Sequence, residues 1–137
     1  MRALYWHWED ENVRCDLCPH GCLIPSGKRG LCRVREHVPN EGLEALTYGM
    51  FSSVAMDPME KKPLYHFLPG KPVLSLGSVG CNMSCPFCQN WHISTWVSQI
   101  EMSYIGVDEL ISLAKKYRSG AVAFTYNEPL ICFEYLS

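Results

Sequence analysis

The sequence predicts an α/β chain: a small cysteine-rich knuckle, a connector, then a strand–loop–helix–strand–helix run with parallel strands. Three observations carry that expectation. Two short apolar runs, residues 73–76 and 121–125, have the length of buried strands. Between them Leu110, Leu113, Ala114 and Tyr117 recur at i, i+3, i+4 and i+7, the single apolar stripe of an amphipathic helix. Such a helix is the crossover of a parallel pair, which is right-handed. Finally, seven of the eight cysteines fall in two tight groups, at Cys15, Cys18, Cys22 and Cys32, and at Cys81, Cys85 and Cys88.

Residues 1–40 are the knuckle, rich in Cys, Gly and Pro and with little periodicity. Four thiolates suit a closed tetrahedral zinc site, which can fold such a segment by itself. They equally suit an auxiliary Fe–S cluster, unmetallated cysteines are a third reading, and all three stay open. His20 and His37 are candidate substitute ligands, more simply read as surface or supporting groups. Arg29, Arg33 and Arg35 read as solvated.

Residues 41–72 open with a strand over 43–48 and end in a connector punctuated by Pro58, Pro63, Pro69 and Pro72. Residues 73–137 hold the βαβα pattern. Its helix over 108–118 has Asp108 and Glu109 in the first turn and Lys115, Lys116 and Arg118 in the last, complementing the helix dipole. Gly120 is expected to end it. A second helix starts at Pro129, with Asn127 as its N-cap.

At 137 residues, 47% apolar and a net charge of −2, the chain reads as one soluble globular domain. Nothing is basic enough to suggest nucleic acid by charge. No apolar run approaches a membrane span, and the first residues lack a signal-peptide core, so the expected location is cytoplasmic. In a reducing compartment, cysteines clustered at ligand spacings mean metal rather than disulfides. Cys132, outside both groups, reads as a small buried apolar residue. Tyr5, Trp6, Trp8, Trp91 and Trp96 read as packing residues. His66 and His92 read as structural, with His92 the better placed to face a cofactor.

Cys81, Cys85 and Cys88 form a CxxxCxxC triplet directly after the run at 73–76. Electron-carrying clusters are held by four cysteines. Three can hold three irons of a [4Fe–4S] cluster and leave one iron open to a small molecule. A three-thiolate zinc site in a structural or interaction module is the competitor. A ferredoxin-like carrier is a third reading, and it would need Cys132 as fourth ligand.

The loop Cys81-Asn82-Met83-Ser84-Cys85-Pro86-Phe87-Cys88 resembles the cluster loop of the radical S-adenosylmethionine (SAM) superfamily. That resemblance implies a [4Fe–4S] cluster on the three cysteines and places Phe87 near the SAM adenine. Thr125-Tyr126-Asn127-Glu128-Pro129 is similar to the family's motif at the end of the second strand, with Tyr126 and Asn127 in place of two glycines. It implies that Asn127 and Glu128 contact SAM, the carboxylate of Glu128 accepting hydrogen bonds from the ammonium. The knuckle, together with Asp57-Pro58-Met59-Glu60-Lys61-Lys62-Pro63-Leu64-Tyr65-His66-Phe67, resembles pyruvate formate-lyase-activating-enzyme-like proteins, in particular the radical SAM proteins of the AmmeMemoRadiSam system.

The resemblance implies the N-terminal part of a partial (βα)6 TIM-like barrel. On that expectation the chain is a fragment that self-associates or pairs with the missing barrel portion. It implies an oxidoreductase in which an electron from the reduced cluster cleaves SAM and a 5′-deoxyadenosyl radical abstracts hydrogen. The implied partners are SAM, an electron donor and a protein substrate carrying a target glycine. No nucleic acid, no membrane and no catalytic side chain are expected.

Overall fold

The computed structural model describes residues 1–95 and 99–137. Trp96, expected as a packing residue, lies outside the described residues.

The knuckle is more regular than its sequence suggests. Strands β1 (Trp6–Glu9), β2 (Asn12–Cys15) and β3 (Leu23–Ile24) form an antiparallel sheet in that order. Along β2, Val13 and Cys15 are buried while Asn12 and Arg14 are half-buried, the period-2 alternation of a strand with one face inward. Strands β4 (Arg35–Val38) and β5 (Gly42–Ala45) make a second antiparallel hairpin that crosses residue 40. Gly42 has φ 99°, and a Cβ there would lie 2.1 Å from the Trp6 ring, so only glycine lets the tryptophan close over the hairpin. Ala3, Val13, Ile24, Leu43 and Ala45 form the core beneath.

The strand expected over 43–48 stops at Ala45. Strand β6 (Met50–Phe51) then pairs with β9 (Ser103–Tyr104). Strand β7 (Ser53–Pro58), inside the expected connector, pairs antiparallel with β8 (Pro72–Gly77) from Ser53↔Gly77 to Pro58↔Pro72. The other edge of β8 pairs in parallel with β10 (Ala121–Phe124), from Ala121↔Val73 to Phe124↔Leu76. Helices α1 (Trp91–Thr95) and α2 (Val107–Lys116) lie between β8 and β10, and α3 (Phe133–Leu136) follows a 3-10 turn at Pro129–Cys132.

The expected α/β barrel portion is corrected by this topology. Among the described residues β8–β10 is the one parallel pairing, and every other strand pairing is antiparallel. Among the described residues the architecture is a set of small antiparallel sheets and one mixed sheet, with few helices and no repeating βα unit. Strand β8, expected to open a parallel array, is instead closed on one edge by the antiparallel β7. The sequence hides β7 because its pattern is inverted: Val54 and Met56 face solvent while Asp57 is buried.

Other expectations also shift. In α2, Leu110 is buried and Leu113 and Ala114 pack against the core, but Tyr117 is exposed. The helix ends at Lys116, and the left-handed residue after it is Arg118, at φ 50°, rather than Gly120. Gly120 instead lies just before β10, its N–H donating to the Pro72 carbonyl at 2.8 Å. Tyr5, Trp8 and Trp91 are exposed yet make ring contacts.

Arg35, expected in solvent, is 1% exposed. Its Nη1 donates to Glu134 Oε1 at 2.9 Å and its Nη2 to the Leu4 carbonyl, so a buried ion pair fastens β4 to α3. His37 is buried too, its Nδ1 2.9 Å from the Ile24 carbonyl oxygen, a supporting role. Among the described residues no helix is long and apolar enough to cross a membrane.

Candidate metal and cofactor site

Parallel pairing sets the carboxyl ends of β8 and β10 side by side. The chain leaving β8 runs through Ser78, Val79 and Gly80 to Cys81. The chain leaving β10 runs through Thr125 to Glu128. Between them lies a cavity of about 330 Å³. Cys81, Cys85 and Cys88 line one side; Tyr126, Asn127 and Glu128 line another, and α1 adds Trp91, Ser94 and Thr95.

Hydrogen bonds stitch the two strand ends together. Asn127 Nδ2 donates to Ser78 Oγ at 2.9 Å and to the Gly80 carbonyl at 2.7 Å. Asn90 Nδ2, two positions past Cys88, donates to the Tyr126 carbonyl at 2.9 Å. Tyr126 holds a left-handed φ of 73°, a conformation that costs energy in a non-glycine residue. Its ring presses on Gly77, where a Cβ would fall 2.7 Å from Cδ2, and its hydroxyl donates to Asp57 Oδ2 at 2.7 Å. Lys62 Nζ lies 4.8 Å from the centre of the same ring.

Glu128, rather than Asn127, caps the following turn: its Oε1 accepts from the Leu130 N–H at 3.0 Å. A carboxylate has acceptor sites beyond that one bond, so capping leaves it able to bind an ammonium. Phe87 takes no part in the cavity wall and is 83% exposed.

All eight cysteines are free thiols. Cys81 is buried and Cys85 exposed. The Met83 N–H donates to Cys81 Sγ at 3.4 Å. Cys132 is buried away from the triplet, its Sγ donating to Ser78 Oγ at 2.9 Å, and burial pushes its thiol pKa up. His92 lines a separate cavity with Ser52 and Asn90, and His66 is exposed.

The other four cysteines also meet. Cys15, Cys18, Cys22 and Cys32 line one cavity of about 20 Å³ with Leu17, Ile24, Arg35 and Asn82. Burial pushes the thiol pKa of Cys15 and of Cys32 upward. Among the described residues no group of three or more His, Cys, Asp or Glu side chains converges closely enough to hold one metal ion.

No family model and no solved structure matches the chain. It is 41% identical over 133 residues to an uncharacterized protein, MJ0808, of Methanocaldococcus jannaschii. The match covers 96% of this chain and 40% of that protein. The chain therefore spans about 40% of the length of the curated relative it matches.

Of the residues singled out in the sequence, Cys81, Cys85, Cys88, Asn127 and Glu128 line one cavity and Cys15, Cys18, Cys22 and Cys32 another. Sequence reasoning passed over Asp57, Asn90 and the Tyr126 hydroxyl. The one available signal was the charge grouping Asp57, Lys61, Lys62, which reads as a linker until Tyr126 is brought 69 positions back to it.

Proposed function

We propose that this chain carries the [4Fe–4S]- and SAM-binding part of a cytoplasmic radical SAM oxidoreductase of the activating-enzyme type. The observation that carries the reading is the shared cavity: Cys81, Cys85 and Cys88 face Asn127 and Glu128 across one space. The triplet's spacing and the strand-end motif are independent sequence features, and parallel pairing of β8 with β10 is what brings them together.

Cys81, Cys85 and Cys88 would hold three irons of the cluster, and Glu128 would receive the ammonium of SAM. Asn127 spends its amide on Ser78 and Gly80, so its part is to hold the wall that carries Glu128. Phe87 stands outside that wall, and Trp91 at the rim is the aromatic face offered to the adenine. A bound, reduced cluster would supply the electron for reductive cleavage of SAM, the chemistry that leads to hydrogen abstraction from a substrate. The substrate class is another protein with a target glycine, by analogy with activating enzymes, and the reductant is a low-potential electron donor.

Two observations favour this reading over its rivals. The triplet shares a cavity of about 330 Å³ with Asn127 and Glu128, which leaves room beside the thiolates for a small ligand. Cys132, the fourth ligand that a ferredoxin-like carrier requires, packs on Ser78 outside the cavity.

The test is anaerobic reconstitution with iron and sulfide, followed by reduction in the presence of SAM. Methionine and 5′-deoxyadenosine should accumulate, and the Cys85→Ala chain should make neither. An iron-loaded chain that leaves SAM intact would defeat the proposal.

A further inference from the structure

The register of β2 with β3 runs through Val13↔Ile24 and Arg14↔Leu23, and one step further it sets Cys15 opposite Cys22. The Cys15 N–H donates to the Cys22 carbonyl at 2.9 Å, so the pairing continues beyond the start of β3. Cys15 is buried in the core with Val13 and Ile24, and Cys22 packs against that same core, so both side chains stand on one face of the sheet. Facing residues of an antiparallel pair have Cα atoms about 4.5–5.5 Å apart. That lies inside the span of about 4.4–6.8 Å that a disulfide bridges.

A second observation gives the two thiols different parts. Cys15 is buried, whereas Cys22 is half-buried. Burial also pushes the Cys15 thiol pKa up, away from the thiolate that reacts. Cys22 is therefore the entry point for a reagent, and Cys15 the thiol that resolves. Cys18 and Cys32 line the same cavity, but neither faces a cysteine across this sheet. Cys18 sits in the turn, its carbonyl accepting from the Gly21 N–H at 3.1 Å, and Cys32 lies before β4.

We propose that Cys15 and Cys22 are a redox-active pair, oxidised to a cross-strand disulfide by a low-molecular-weight disulfide of the glutathione type and reduced again by a dithiol. The Cys22 thiolate attacks one sulfur of the reagent and breaks its S–S bond, and the first small thiol leaves with a proton. Cys15 then gives up its proton and attacks the Cys22 sulfur, and the second small thiol leaves. Two protein thiols are oxidised, and one reagent disulfide is reduced to two thiols. In a reducing compartment such a bond is transient and signals rather than braces.

The pair is placed to act on the triplet loop. The bond would close a ring over residues 16–21, which carries His20. The His20 Nε2–H donates to the Asn82 carbonyl at 2.7 Å, next to Cys81. Arg14 reaches the same turn, its Nη1 donating to the Gly21 carbonyl at 2.6 Å. Closing the ring narrows the freedom of the turn that holds His20 on Asn82, so oxidation stiffens the support of Cys81. This holds whatever the triplet binds.

The test equilibrates the unmodified chain, stripped of metal, against graded ratios of oxidised to reduced glutathione, then alkylates it and maps its cysteines by mass spectrometry. The first knuckle disulfide to form should join Cys15 to Cys22, and dithiothreitol should reverse it. Cys15→Ser should stop with glutathione on Cys22, and Cys22→Ser should leave Cys15 unmodified. Oxidation should also slow amide hydrogen exchange around His20 and Asn82. A first disulfide that involves Cys18 or Cys32, or glutathione held on Cys15 in the Cys22→Ser chain, would overturn the proposal. So would the absence of any knuckle disulfide at ratios that oxidise the exposed Cys85. Unchanged exchange would overturn the link to the triplet loop. Where a variant does not fold, the pairing mapped in the unmodified chain decides.

Discussion

The Tyr126 hydroxyl donates to Asp57 Oδ2 at 2.7 Å, tying the end of β10 to the end of the antiparallel strand β7. Asp57 also accepts from Lys61 Nζ at 2.8 Å and Lys62 Nζ at 2.6 Å. Three donors from two segments thus meet on one buried carboxylate, and the anchored Tyr126 leads directly into Asn127 and Glu128. The cavity wall is held from behind by a residue that never touches it.

Tyr126→Phe keeps the ring on Gly77 and removes only the hydroxyl. Loss of a hydrogen bond to a charged group should cost about 1.5–3 kcal/mol, read from urea unfolding. With the wall loosened, SAM affinity should fall more than cluster content does.

Asp57 sets a pH dependence. Burial alone would raise its pKa, but hydrogen bonds from Lys61, Lys62 and Tyr126 outweigh burial and hold it well below the ordinary aspartate value of 3.8. A carboxyl group depressed on folding contributes stability above its unfolded pKa and loses it as the pH falls toward the folded one. The stability gap between the wild-type chain and Asp57→Asn should be flat through neutral pH and narrow below about pH 4. Unfolding midpoints of both chains across that range check it.

Gly80→Ala should be severe. Gly80 has φ 82°, and a Cβ would meet the Cys32 carbonyl oxygen at 2.5 Å and Val34 Cγ1 at 2.7 Å. The obstacle is partly backbone, which cannot rotate away. A loss of about 2 kcal/mol or more is expected, together with lower iron uptake because Cys81 is displaced.

Arg35→Met leaves the Glu134 carboxylate buried without its cation and should cost about 3–5 kcal/mol. Adding Glu134→Leu should recover part of that loss, since an apolar pair removes the uncompensated charge. A double-mutant cycle by chemical denaturation measures the coupling.

The readable parts of the sequence were those whose burial is continuous or strictly periodic. Residues 72–77 of β8 are nearly all buried, and the apolar run announces it. The α2 stripe was legible for the same reason. Strand β7 was not, because it turns Val54 and Met56 outward and Asp57 inward. Strands β3, β6 and β9 have two residues each, too few for any pattern, and exist because of their partners. The two cysteine groups were visible as spacing, but the contacts that hold the cavity walls were not. Asn90, Tyr126 and Arg35 act through contacts 36, 69 and 99 positions away, which no local pattern encodes.

The most direct test of the central claim is electron paramagnetic resonance of the reconstituted, reduced chain with and without SAM. The account predicts a [4Fe–4S]⁺ signal that changes on adding SAM, persists in Cys132→Ala and vanishes in Cys85→Ala. A cluster signal that SAM leaves unchanged, or one that Cys132→Ala destroys, would contradict it.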